Sequence, residues 1–169
     1  MRAAWLRAIL ILPGNVLVTI PAVLLYVTGY RWPEESRLPW VIAGAFQFAA
    51  GFLLAAWTMR LFASIGKGTA APWNPPRKLV VAGPYRHVRN PMITSVLAML
   101  AGEAMFLGSA AIAVWFGVFF LVNALYFPLV EEKELERRFG GNYVHYKQNV
   151  PRWLPRITAW TPPAPWEDQ

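Results

Sequence analysis

The chain alternates long stretches without charge and short stretches dense in it. Residues 8–30 carry no charged side chain, and neither do residues 38–59. Residues 92–130 form a run of 39 with one charge, Glu103. A helix crossing the hydrocarbon core of a bilayer needs about 20 mostly apolar residues. The first two runs therefore predict one span each. The third is long enough for two, with a break at Gly108-Ser109. The expectation is an all-α integral membrane protein with four transmembrane helices, at about 8–30, 38–60, 92–108 and 110–130. The last two form a helical hairpin.

The segments between the runs set the orientation. Arg2 and Arg7 precede the first run as they would in a signal peptide, but the run is long and carries Pro13 and Pro21. It reads as a retained helix, because spanning helices tolerate proline where neighbours satisfy the backbone. The loop holding Arg31 and Arg37 also holds Glu34 and Glu35. The loop 64–91 has Lys67, Arg77, Lys78, Arg86 and Arg89 and no acid, and the tail is also rich in Lys and Arg. Positive charge collects in cytoplasmic loops, so both termini and loop 64–91 are expected on the cytoplasmic side. Trp32, Trp40 and Trp73 suit the membrane interface. In the C-terminal region 131–169, Leu135, Phe139, Tyr143, Tyr146 and Val150 fall on one helix face, which Gly140-Gly141 should weaken or break.

Composition agrees with this pattern. The chain of 169 residues is 56% hydrophobic and 15% charged, where a soluble domain has about 25% charged. The length suits a single membrane domain spanning 1–169. Cysteine is absent, which excludes thiolate catalysis and zinc–thiolate sites, and no metal is expected. The net charge of +7, beside such apolar runs, points to the lipid bilayer as partner rather than nucleic acid.

Two polar clusters remain for chemistry. Tyr85, Arg86, His87, Arg89 and Asn90 stand just before the third span, and Glu131 and Glu132 just after the fourth. If these spans form a hairpin, its two ends bring the clusters together at the membrane surface. Cations suit a carboxylate and carboxylates suit an amine or ribose hydroxyls, so the pair could hold a zwitterionic ligand. Plain alternatives exist: headgroup anchors for the arginines and a solvated helix start for the acids. Glu103 is a carboxylate inside a span, which is a functional candidate by default.

The order "GPYRHVRNPM", an apolar hairpin with "GE", "EEKELERRFGGNYVHY" and "VPRWLP" resembles the isoprenylcysteine carboxyl methyltransferase and phospholipid methyltransferase superfamily. The resemblance covers roughly residues 64–156. It implies an integral membrane methyltransferase that binds S-adenosylmethionine on the cytosolic side and takes a lipophilic, membrane-partitioned substrate. The family element matches Arg89, Asn90, Pro91 and Met92, the acidic pair matches Glu131 and Glu132, and "FG..Y..Y" matches Phe139, Gly140, Tyr143 and Tyr146. Tyr85, Arg86 and His87 extend the first cofactor element, and the glycine pair corresponds to Gly66 and Gly68.

Departures bear on the acceptor. "NPM" belongs to the phospholipid branch but continues Ile93-Thr94-Ser95, without that branch's Tyr and Gly. The isoprenylcysteine branch has His where Asn90 stands, and a substrate-gripping Arg where Phe127 stands. A carboxyl methyltransferase would then need another cation, such as Arg152. The expectation is therefore a phospholipid amine or other small lipid as acceptor, with catalysis by Glu131, Glu132 and Arg152. An isoprenylcysteine-type carboxyl methyltransferase is the alternative. A non-catalytic lipid- or partner-binding membrane protein is the rival of another class, and sterol reduction would require a longer chain with more spans.

Overall fold

A computed structural model describes residues 13–33, 37–67 and 76–163. Among the described residues there are helices and no strands. Helix α1 runs over Asn15–Val27, α2 over Leu38–Gly66, α3 over Pro91–Leu107 and α4 over Ala110–Tyr126. A wide π turn, Phe127–Glu131, joins α4 to α5, Glu132–Asn149. Each apolar run is thus helical where it is described, and the chain breaks at Gly108-Ser109.

Two helical stretches, Leu38–Gly66 and Ala110–Asn149, are long and apolar enough to cross a membrane, while α1 and α3 are shorter apolar helices. Only 11% of each long apolar stretch is buried. Phe46, Leu53 and Leu121 are largely exposed. An exposed apolar surface of this size marks a membrane or protein interface.

The chain divides into two compact units, Met1–Ala55 with Ile93–Val122, and Ala56–Met92 with Asn123–Gln169. In the first, α2 and α3 approach until their backbones touch. A Cβ on Gly44 would lie 2.5 Å from the Phe106 nitrogen, and one on Gly102 would lie 2.6 Å from the Phe48 nitrogen. Small residues at these positions give the close contact by which helices associate in lipid, where apolar side chains gain nothing over the lipid tails. At the turn between α3 and α4 the Tyr30 hydroxyl donates to the Leu107 carbonyl at 2.5 Å. Gly108 has φ +65°, and the Arg37 guanidinium occupies the space where a Cβ would stand. Tyr30 and Arg37 thus both reach the C-terminal end of α3, where carbonyls lack helical partners.

The second unit has an aromatic core. Tyr143, Tyr146, Val150 and Trp160 are buried together, with Leu79, Val81, Leu135 and Phe139 packed around them. This is the apolar face expected of the C-terminal region. The break expected at Gly140 is also present, with φ 53° and ψ −133°. It has a consequence for charge. A straight helix would separate residues 132 and 147 by about 22 Å, yet Lys147 Nζ lies 3.6 Å from Glu132. The bend at Gly140 turns the helix back on itself.

Candidate functional site

Residues 83–90 prepare the first side of the site. A short 3₁₀ turn, Gly83–Arg86, delivers Tyr85 to the interior. Its ring meets Phe62 edge-on at 5.5 Å between centroids. Its carbonyl accepts the Tyr146 hydroxyl at 2.7 Å. The Tyr85 hydroxyl itself is buried and has no hydrogen-bond partner. Burial, then the proximity of Tyr146 and Glu131, push its pKa well above the usual phenol value. Asn90-Pro91 opens α3 as a helix start should, an N-cap type followed by proline at the first position. Pro91 is buried and Met92 half-buried.

The π turn prepares the second side. Pro128 lies within it, and proline lacks an N–H and displaces the carbonyl four residues earlier, which a wide turn accommodates. One extra residue in a turn rotates the next helix by roughly 100° about its axis. Glu132 is buried and Glu131 half-buried.

Glu132 is the centre of the arrangement. Arg89 Nη1 lies 3.1 Å from its Oε1. Arg152 grips it with both arms of its fork, Nε to Oε1 at 2.6 Å and Nη2 to Oε2 at 3.0 Å. Lys147 stands at 3.6 Å and also pairs with Glu136 at 2.6 Å. Burial pushes the Glu132 carboxyl upward, but the Arg152 hydrogen bonds and the charges of Arg89, Arg152 and Lys147 outweigh it and hold the pKa below the usual range. The adjacent acid behaves oppositely. Glu131 makes no hydrogen bond or ion pair among the described residues. Burial, reinforced by the negative charge of Glu132, pushes it up to about 7. Identical neighbours are thus shifted in opposite directions: its cations hold Glu132 as an anion, while burial and the Glu132 charge push Glu131 toward its protonated form.

The structure brings together Tyr85, Arg89, Glu131, Glu132, Tyr143, Tyr146 and Arg152. Tyr143 is buried beside Glu132 and Arg89, and burial raises its pKa. Arg86 and His87 go elsewhere. Arg86 Nε donates to the Trp160 carbonyl at 2.6 Å and its Nη2 to the Thr161 hydroxyl. His87 Nδ1 lies 2.8 Å from the Arg156 carbonyl, so that nitrogen carries the proton. Backbone bonds run alongside: Arg89 N–H to Pro151, Arg156 N–H to His87 and Trp160 N–H to Arg86. These two residues therefore clasp the tail. Gly66 is buried, and a Cβ there would meet Pro76 at 3.0 Å and Val80 at 3.1 Å. Gly68 lies outside the described residues.

Lys147, Arg156 and Trp160 escape the sequence reading. Lys147 had one available signal, the Gly140 break that folds it back. Arg156 and Trp160 act through backbone groups, which residue type does not encode.

Arg89 Nε, like the Tyr85 hydroxyl, is buried without a hydrogen-bond partner. Two orphaned donors beside a free carboxylate fit a ligand with carboxylate, ammonium and hydroxyl groups, because buried polar groups otherwise find partners.

A family model described as phospholipid methyltransferase matches residues 39–142. A protein of Haemophilus influenzae described as uncharacterized is 40% identical over 65 residues, covering 37% of this chain and 100% of that protein. No solved structure matches.

Proposed function

The chain belongs to the phospholipid methyltransferase family, and from that premise we propose that it methylates an amine of a lipophilic, membrane-held acceptor. S-Adenosylmethionine would supply the activated methyl group. Arg89 and Tyr85 would offer the cofactor their unpartnered donors, with Asn90, Pro91 and Met92 beside them and Tyr143 and Tyr146 as the aromatic wall. Gly66, at the end of α2, would complete the cofactor contacts, and the resemblance adds Gly68 to it. Glu132 acts as a positioning residue, because its carboxylate, itself gripped by the Arg152 fork, holds Arg89 in place. Arg86 and His87 support the site by holding the tail in register.

The protein's remaining task is the proton. A primary ammonium has no lone pair, so it must lose a proton before it can attack a methyl group. Glu131 is the group available: it is unpaired among the described residues and titrates at about 7. A base with a pKa near the working pH is the effective one. Holding acceptor and donor in line does the rest, since orientation alone can lower a barrier by about 7–11 kcal/mol.

The observation that carries the amine reading is the fork of Arg152 on Glu132. A carboxylate acceptor would need a cation, and the sequence leaves Arg152 as the candidate. That cation already has its carboxylate. At the other possible position Phe127 is buried against Trp153, rings 5.8 Å apart. Four spans in a single membrane domain, with both termini and the site cytoplasmic, complete the proposal. The loop charges support it, and so do the apolar helices.

The test uses the purified protein in lipid nanodiscs with methyl-labelled cofactor. Aminophospholipid and a farnesylated cysteine analogue are offered side by side. Label on the amine is expected. Methyl ester on the cysteine analogue, abolished by Arg152→Ala, would overturn the amine reading. Absence of cofactor binding by calorimetry would leave a lipid-binding protein instead.

A further inference from the structure

The tail after α5 has a property that the site does not require. Between Val150 and Trp160, which are both buried, the chain turns two large apolar side chains outward. Leu154 is 81% exposed and Ile157 98% exposed. Pro155, Thr158 and Ala159 between and beside them are exposed as well. This is no loose end. Its backbone is tied at Pro151, Arg156 and Trp160 to residues 86–89, and Pro151 and Pro155 restrict it further. A tethered loop that shows leucine and isoleucine to solvent is displaying them.

The surroundings identify what they face. Trp153, next to Leu154, packs edge-on against Phe127 at the end of α4. There the exposed residues are Leu125, Tyr126, Leu129 and Val130, so the apolar surface of the helix continues toward the loop. Arg156 stands between Leu154 and Ile157, while Arg152 is already paired with Glu132, and residues 150–163 include no acid. Apolar tips, an aromatic ring and an arginine between the tips are the chemistry of a segment lying in the bilayer interface among anionic headgroups.

We propose that the loop 153–159 docks on the bilayer, its Leu154 and Ile157 side chains entering the headgroup–acyl boundary of an anionic leaflet. The loop then fixes the depth at which residues 86–89 and 150–152 meet the membrane, because the same backbone bonds join them. Docking is independent of which acceptor is methylated.

The chain has no cysteine, so Leu154→Cys and Ile157→Cys each give a unique site for a nitroxide label. Gln148→Cys, on an exposed position of α5, gives the aqueous reference. The full chain is placed in nanodiscs of equal parts phosphatidylcholine and phosphatidylglycerol. Accessibility to dissolved oxygen and to a water-soluble nickel chelate is then measured by power saturation. Labels at 154 and 157 are expected to be shielded from nickel and accessible to oxygen, with the reverse at 148. Nickel accessibility at 154 and 157 equal to that at 148 would overturn the proposal. Shielding from both reagents would overturn it too, since it would mean a protein partner rather than lipid.

Discussion

The two compact units are held by different forces. In the first, Gly44 and Gly102 let backbones touch, and apolar side chains face outward. In the second, Tyr143, Tyr146, Val150 and Trp160 form a water-excluding core, and a buried carboxylate binds three cations. On the proposed membrane placement, the difference arises from the solvent. Lipid tails do not drive apolar side chains together, so shape and backbone proximity must do so. Where water is present, burial of aromatic surface regains its value, and an ion cage can be placed inside it.

The comparison can be broken most strongly at Glu132. Glu132→Ala leaves Arg89, with a side chain 9% exposed, without its anion. The expected cost is about 3–5 kcal/mol, read as loss of thermal stability in detergent. Next comes the helix contact: Gly102→Leu forces a side chain into the Phe48 backbone, with an expected cost of about 1–3 kcal/mol by the same measurement.

Titration sharpens the contrast between the two acids. Glu131 is raised, so the stability it contributes is fully present below the unfolded value of about 4.3 and is gone once the pH has risen through about 7. Glu132 is lowered, so its contribution is present above that unfolded value and is lost as the pH falls through the folded one. Glu131→Gln should flatten the decline between these limits in a pH-dependent melt and leave the acid limb in place. It should also remove the rise in methyl-transfer rate through pH of about 7. The smallest effect is expected at the exposed pair Glu134–Arg137, 3.9 Å apart. Arg137→Ala should change stability by less than about 0.5 kcal/mol, a control for charge removal outside the cage.

The helices were legible because runs without charge have few other uses, and the break at Gly108-Ser109 and the kink at Gly140 were legible as glycine signals. Which helix faces touch was not legible. Gly44 and Gly102 are 58 positions apart, and nothing local pairs them. Arg89 and Glu132 could be anticipated because hairpin ends converge. Arg86 and His87 carry the same chemistry two or three residues away, yet their partners are carbonyl and hydroxyl groups of the tail. A side chain's type states what it can bind, while its direction is set by backbone dihedrals that the motif does not spell out. The π turn at Phe127–Glu131 escaped for the same reason, although it decides which of the two acids faces the cations.

The clasp of residues 86–89 by residues 151–161 also imposes an order in time. A ribosome delivers Arg89 and Arg86 62 and 74 residues before the carbonyls of Pro151 and Trp160, and delivers α3 and α4 in between. On the proposed topology and site, membrane insertion begins while the site is still open, and the site closes only when later-made chain reaches it. A nascent chain stalled before Pro151 would then be inserted without its clasp, so biogenesis would have a distinct last step that insertion assays alone would miss.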